Sequence, residues 1–120
     1  MSELVSSRVI YSGKVLTLRV DEIVSASGKI SLREVIEHNG AVAVVAINAD
    51  SEVLLVKQHR HAAGRELLEI PAGGIDPGET PEQAVLREMQ EETGFLPGTI
   101  SRLGGFIRRR AFLTNTFTFF

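Results

Sequence analysis

Apolar positions along the chain predict a strand-rich fold with one well-marked helix. Residues 8–24 (RVIYSGKVLTLRVDEIV) read as two strands joined at Ser12-Gly13, with Val15, Leu16, Leu18 and Val20 partly alternating. Ser25 to Gly28 reads as a turn, and Lys29 to His38 as a returning strand. Asn39-Gly40 is a hairpin-type break. Ala41 to Ile47 (AVAVVAI) is continuously apolar, which predicts a strand buried on both faces. Asn48-Ala49-Asp50-Ser51 turns the chain into Glu52–Gln58, the expected hairpin partner. Residues 59–65 read as a polar loop, and Leu67 to Ile70 as a short strand. Pro71 to Gly78 contains Gly73, Gly74 and Gly78 beside Pro71 and Pro77, a composition that predicts no regular element.

The helix is predicted over Pro81 to Thr93. Thr80 is a suitable N-cap, Pro81 has its φ preset for the first helical position, and Gln83 completes a capping box. Gly94 supplies the left-handed residue that ends the helix. Beyond a loop over Phe95 to Ser101, strands are expected at Leu103–Ile107 and Leu113–Phe120. There is no internal repeat, low-complexity stretch or interdomain linker.

Composition narrows the function classes. At 120 residues the chain is one domain's worth, and it has no cysteine, which excludes disulfides, thiolate zinc sites and cysteine nucleophiles. A net charge of −2 argues against nonspecific binding to nucleic acid or anionic membrane. No apolar run reaches the roughly 18 residues of a membrane span, and the N-terminus lacks a basic-then-apolar leader. A soluble cytoplasmic protein is the expectation. The charge is unevenly spread, however. Between Gly73 and Phe95 six acids face Arg87 alone, a local balance of −5, while the remainder has 12 bases and nine acids, a balance of +3.

On the predicted helix, Glu88, Glu91 and Glu92 fall within about 100° of arc, at spacings of three and four residues. Like charges so placed repel unless they face solvent or share a cation. An oxygen-only set suits a hard ion, Mg²⁺ or Mn²⁺, better than zinc. Arg87 can reach Glu91 at i+4 or fold back to Glu79 in the loop, and the glycine-rich loop can bring backbone groups close to an ion or an anionic substrate. Both readings stand at this level: a solvated acidic face, or a cation site for phosphoryl chemistry. His38, His59 and His61 lack zinc-like spacing.

The full spacing goes further. Gly73, five residues, Glu79, seven residues, then Arg87-Glu88-Met89-Gln90-Glu91-Glu92-Thr93-Gly94-Phe95 resembles the Nudix box at every specified position. Lys57-Gln58-His59-Arg60, Glu69-Ile70-Pro71-Ala72-Gly73, Tyr11-Ser12-Gly13-Lys14-Val15-Leu16 and Arg33-Glu34-Val35-Ile36-Glu37-His38 resemble the ADP-ribose pyrophosphatase branch of that family. The resemblance implies the α/β (α+β) Nudix fold, a mixed sheet sandwiched between helices, with an N-terminal antiparallel sheet over 1–39 and the hydrolase domain over 40–120. It implies a Mg²⁺-dependent pyrophosphatase that splits ADP-ribose, or a related nucleoside diphosphate sugar, into a nucleoside monophosphate and a sugar phosphate.

Residue by residue, the resemblance implies Glu88, Glu92 and the Ala72 carbonyl as metal ligands. Glu91 is implied as a ligand through water or a proton acceptor, and Arg87 with Glu79 as the pair holding loop to helix. Arg60, Arg33 and Gly73 are implied on the substrate side. It also implies a homodimer built on the N-terminal strands. The same residues are compatible with hydrolysis of another nucleoside diphosphate derivative, such as NADH or a dinucleotide polyphosphate, or with nucleotide binding without turnover.

The chain departs from the branch in two places. Arg108-Arg109-Arg110-Ala111 stands where a "P-S-P-G" loop is usual, and no acid follows Glu92, although branch members often supply a later glutamate to the attacking water. The end, Leu113 to Phe120, is an uncharged apolar strand, where members continue with another strand and a helix; a C-terminally shortened chain is therefore expected.

Overall fold

A computed structural model describes residues 1–107, 113–114 and 116–120. In chain order the elements are β1 (Ser2–Ser12), β2 (Thr17–Ser25), β3 (Ile30–Glu37), β4 (Ala41–Ala43), β5 (Val56–Arg60), a 3₁₀ turn (His61–Ala63), β6 (Arg65–Glu69), β7 (Ala72–Gly74), α1 (Pro81–Thr93), β8 (Gly104–Ile107), β9 (Leu113–Thr114) and β10 (Thr116–Phe119). Two compact units result, Met1–Asn39 with Ile107–Thr116, and Gly40–Phe106 with Phe117–Phe120.

In the first unit, β1, β2 and β3 form an antiparallel meander and β9 runs parallel to β3. The β2–β3 turn closes at Gly28, whose φ of 78° would strain most other residues. Every residue of β1 is exposed, whereas β2 is half-buried. Buried Asp21 takes hydrogen bonds from Ser7 Oγ (2.6 Å) and Arg19 Nε (3.0 Å), and Arg19 also pairs with Glu37. These contacts hold the Asp21 carboxyl below its ordinary pKa, through the Ser7 hydroxyl first and then Arg19.

The second unit is a mixed sheet in the order β7-β4-β10-β8, with β4 antiparallel to β7 and parallel to β10. Helix α1 is anchored as its sequence predicts. Thr80 Oγ1 accepts from the Gln83 amide while the Gln83 side chain accepts from the Thr80 amide, and Gly94 closes the helix at φ 76°. Ala84, Val85 and Met89 form one stripe, buried with Val42, Val44 and Phe120 in the core. Burying a side chain of the Val or Met kind contributes about 1.5–3 kcal/mol, so this stripe fixes which face of α1 meets the sheet. Strands β5 and β6 pair as a separate hairpin.

Four expectations are corrected. Asn39-Gly40 does not join a hairpin, because the partners of β4 are β7 and β10. The apolar run over Ala41–Ile47 is buried on one face only: Val42 and Val44 are buried, while Val45 and Ile47 are 41% and 64% exposed. Its hairpin partner is shorter than expected, with Ile47 bridging Val53 and Leu54 donating to the Ala46 carbonyl, before β5 turns to β6. Finally, the glycine-rich stretch does contain a strand. Ala72–Gly74 pairs with β4, and tertiary hydrogen bonding overrides the poor local propensity. Among the described residues α1 is the one α-helix, packed on the Val42–Val44 face.

Candidate active site

The stripe that seats α1 also aims its carboxylates. At about 100° per residue, Glu88 and Glu92 fall between Ala84 and Val85 on the helical wheel, inside the arc that faces the sheet. Glu91 falls outside it. The structure accordingly separates three glutamates that sequence spacing groups together: the Glu88 side chain is 14% exposed and that of Glu91 61%.

Glu88 and Glu92 both meet the edge strand β7. Hydrogen bonds from Val44 N to Pro71 O and from Ile75 N to Gly40 O set the β4–β7 pairing. Alternation in an antiparallel ladder then turns the N–H and C=O of Ala72 and Gly74 away from β4. The Ala72 amide faces Glu92 Oε2 at 3.4 Å, and the Gly74 carbonyl accepts from Arg87 Nη2 at 2.8 Å. The Glu88 carboxylate lies against Gly73, in the space a β-carbon there would need. The Ala72 carbonyl shares the outward edge.

Arg87 ties loop to helix. Its Nε donates to Glu79 Oε2 (2.8 Å), Nη2 to Glu79 Oε1 (2.8 Å), and Nη1 to Glu88 Oε1 (2.6 Å), with a longer contact to Glu91 Oε2 at 3.4 Å. Asp76 Oδ2 lies 3.3 Å from Nε, and the Asp76 amide donates to Glu79 Oε1 at 3.1 Å. Arg87 bonding lowers the Glu79 carboxyl from about 4.5 to about 2, burial opposes this, and the Asp76 amide helps. The same bonds, to Glu79 first and then Glu88, hold the Arg87 guanidinium far above its ordinary value. Every nitrogen of Arg87 is thus engaged by protein, and its role is to brace Glu79 and Glu88.

The remaining residues divide. Arg60, at the end of β5, donates side-on to Glu69 of β6, from Nε at 3.0 and 3.1 Å and from Nη2 at 2.6 Å. Arg33 lies on β3 of the N-terminal sheet, where it donates to the Leu32 carbonyl at 3.1 Å. His59 and His61 are exposed on and after β5. Arg108, Arg109, Arg110 and Ala111 lie outside the described residues. Sequence reasoning gave no role to Asp76, the Gly74 carbonyl or Glu69. The first two are visible only once β7 exists, while Glu69 could have been suspected as the one acid within the apolar stretch Leu67–Ile70.

Among the described residues no three acidic or histidine side chains converge as a cation cage. Magnesium does not require one, since it is usually held by one or two carboxylates and substrate phosphates, with several waters retained. Two carboxylates and an outward carbonyl on one strand edge are an all-oxygen donor set that fits such an ion. A separate cleft of about 870 Å³, lined by Val44, Leu54, Met89, Phe95, Leu96 and Phe120 among others, includes none of these donors. Its lining is largely apolar, which suits neither a cation nor a diphosphate.

A NUDIX domain model matches residues 37–119, and a model of the nucleoside diphosphate sugar hydrolase N-terminal domain matches residues 3–36. The chain is 40% identical over 102 residues to the ADP-ribose pyrophosphatase of Bacillus subtilis (strain 168), covering 85% of this chain and 55% of that protein. It is 42% identical over 98 residues to the ADP-ribose pyrophosphatase of Mycobacterium tuberculosis, covering 81% of this chain and 47% of that one. The chain therefore spans about half the length of these curated relatives. A crystal structure of an ADP compounds hydrolase superposes with a TM-score of 0.83 over 98% of this chain and 64% of that chain, at 20% identity, a likeness of fold.

Proposed function

The chain belongs to the Nudix family, and from that premise we propose that it hydrolyses ADP-ribose or a closely related nucleoside diphosphate sugar with Mg²⁺. The products are a nucleoside monophosphate and a sugar phosphate. The observation that carries this reading is the meeting of Glu88 and Glu92 with β7 beside the Ala72 carbonyl. The names of the relatives give the substrate class.

Glu88, Glu92 and the Ala72 carbonyl would hold the cation. Mg²⁺ bound there supplies neutralisation of the diphosphate and activation of water. The protein's own groups do the rest. Arg87 fixes the Glu88 carboxylate by a 2.6 Å bond, so that oxygen needs little reorganisation when charge develops. Glu91 is exposed and, among the described residues, held only by its 3.4 Å contact to Arg87, which suits it to accept the proton of the attacking water. Arg60 presents a guanidinium for the diphosphate oxygens, a task that favours arginine's forked donors. Gly73 lets Glu88 lie against the backbone.

The exposed apolar residues of the N-terminal sheet, Leu4, Val9, Tyr11 and Leu32 among them, support a homodimer through these strands. No helix of the described residues is long and apolar enough to cross a membrane. A nucleotide-derived substrate points to the cytoplasm as the place of action.

Incubation with ADP-ribose and Mg²⁺, followed by chromatography, tests the proposal. AMP and ribose 5-phosphate should accumulate together in equal amounts. Absence of both, from this and a panel of nucleoside diphosphate derivatives, would overturn the hydrolase reading even if nucleotide binds.

A further inference from the structure

The geometry points to Glu69 as the positioning residue that aims Arg60 at the diphosphate and keeps it off Glu92. This inference rests on the reading that Arg60 contacts the phosphates, and it adds a residue to which that reading gives no role.

The hairpin register poses the problem that Glu69 solves. Arg60 stands directly opposite Arg65 at the turn end, whereas Glu69 stands opposite Val56 at the far end. Like charges facing each other across a ladder repel. The Arg60 guanidinium instead reaches back toward Glu69, along the hairpin face that carries Gln58 and Leu67. Glu69 takes it side-on, with Nε bonded to both carboxylate oxygens and Nη2 to one. No bond from Nη1 is formed among the described residues. The end-on edge, made of Nη1 and the second N–H of Nη2, is left as a fork matching two phosphate oxygens.

The location of that fork matters. Three residues after Glu69 comes Ala72, whose amide faces Glu92. The charge of Glu92 is also felt at Arg60, whose pKa is raised by Glu69 bonding first and, more weakly, by the pull of Glu92. Arg60 thus lies within electrostatic range of a carboxylate needed for the cation. Glu92 is the other carboxylate whose pull Arg60 feels, so loss of Glu69 leaves the guanidinium drawn toward Glu92. Arg60 would then compete with Mg²⁺ for Glu92 and turn its fork away from the substrate.

Five proteins test this: the unsubstituted chain, Glu69→Ala, Arg60→Ala, the double variant and, as the conservative control, Glu69→Gln. KM and kcat for ADP-ribose and half-saturation by Mg²⁺ are measured for each. If the unsubstituted chain binds without turnover, calorimetric affinity for ADP-ribose replaces KM. Glu69→Ala should raise KM at least about tenfold, the scale of one charge-assisted contact, with a smaller change in kcat. It should also raise the Mg²⁺ requirement. Both effects should vanish when Arg60 is already alanine. Glu69→Gln, which keeps one acceptor oxygen, should fall between. A raised KM in Arg60→Ala but not in Glu69→Ala would overturn the role of Glu69 and leave that of Arg60 intact. An unchanged KM in Arg60→Ala would remove the reading beneath it. A purely structural Glu69 would lower melting temperature and active fraction without moving KM, which would also overturn the proposal.

Discussion

The carboxylate of Glu88 occupies the space that a β-carbon on residue 73 would need. Gly73 is required here by contact, since its φ is not among the positive values that select glycine elsewhere in the chain. Gly73→Ala must therefore push Glu88 away from β7 and strain its 2.6 Å bond to Arg87. Overpacking of this kind costs about 1–3 kcal/mol, so the variant should remain folded with a lowered melting temperature. Its turnover should fall by about 10²-fold, the scale seen when one preorganised group is lost. A variant with full turnover would mean that Glu88 works in some position other than the one seen here.

The separation of Glu91 from Glu88 and Glu92 yields a second prediction. Glu92→Gln should lower turnover by at least about 10²-fold and raise the Mg²⁺ concentration needed for half-activity, as loss of a metal-holding carboxylate does. Glu91→Gln should lower kcat by about 10²-fold or more, the range for a general base, with the Mg²⁺ requirement little changed. Steady-state kinetics over a Mg²⁺ titration separates the two. Equal shifts in Mg²⁺ requirement would show that Glu91 holds the cation as Glu92 does.

Much of this arrangement is legible in the sequence where local chemistry decides it. Thr80, Pro81, Gln83 and Gly94 mark both ends of α1 because caps depend on residues within one turn. Spacing also puts Glu88 and Glu92 on one face. It cannot expel Glu91, because that depends on Ala84, Val85 and Met89 choosing the buried arc by packing on Val42 and Val44. Strand β7 is illegible for a similar reason. Its Ala-Gly-Gly composition opposes a strand, and only β4 alongside supplies the hydrogen bonds that make one. The clamp of Arg60 by Glu69 follows from the hairpin register, which no periodicity in KQHR or RELLE reveals.

The exposed N-terminal strand makes a third prediction. β1 is exposed along all of its 11 residues, and Leu32 on β3 is 64% exposed. If these residues form the dimer, the chain should sediment as a dimer at micromolar concentration. Leu32→Glu should shift it toward monomer by at least about tenfold in dissociation constant, since a charge replaces a buried side chain worth about 1.5–3 kcal/mol. A chain that sediments as a monomer before any substitution would refute the dimer.

Acid titration probes the loop–helix brace. The Glu79 carboxyl has its pKa lowered from about 4.5 to about 2 by Arg87. A carboxyl depressed in the folded state favours folding fully above its unfolded value, and that contribution is lost as protons bind while pH falls toward the folded value. Stability should therefore fall between about pH 4.5 and pH 2 through Glu79. Asp21 and Glu69, also depressed, contribute in the same direction. Comparison with Glu79→Gln isolates the one residue. The variant should be less stable at neutral pH, and its stability should approach that of the unsubstituted chain as the acid end of the window is reached. Denaturant melts at several pH values in this range give the difference curve. A difference that stays constant with pH would mean that Glu79 acts through packing, and that its charge on Arg87 does not hold the loop to the helix.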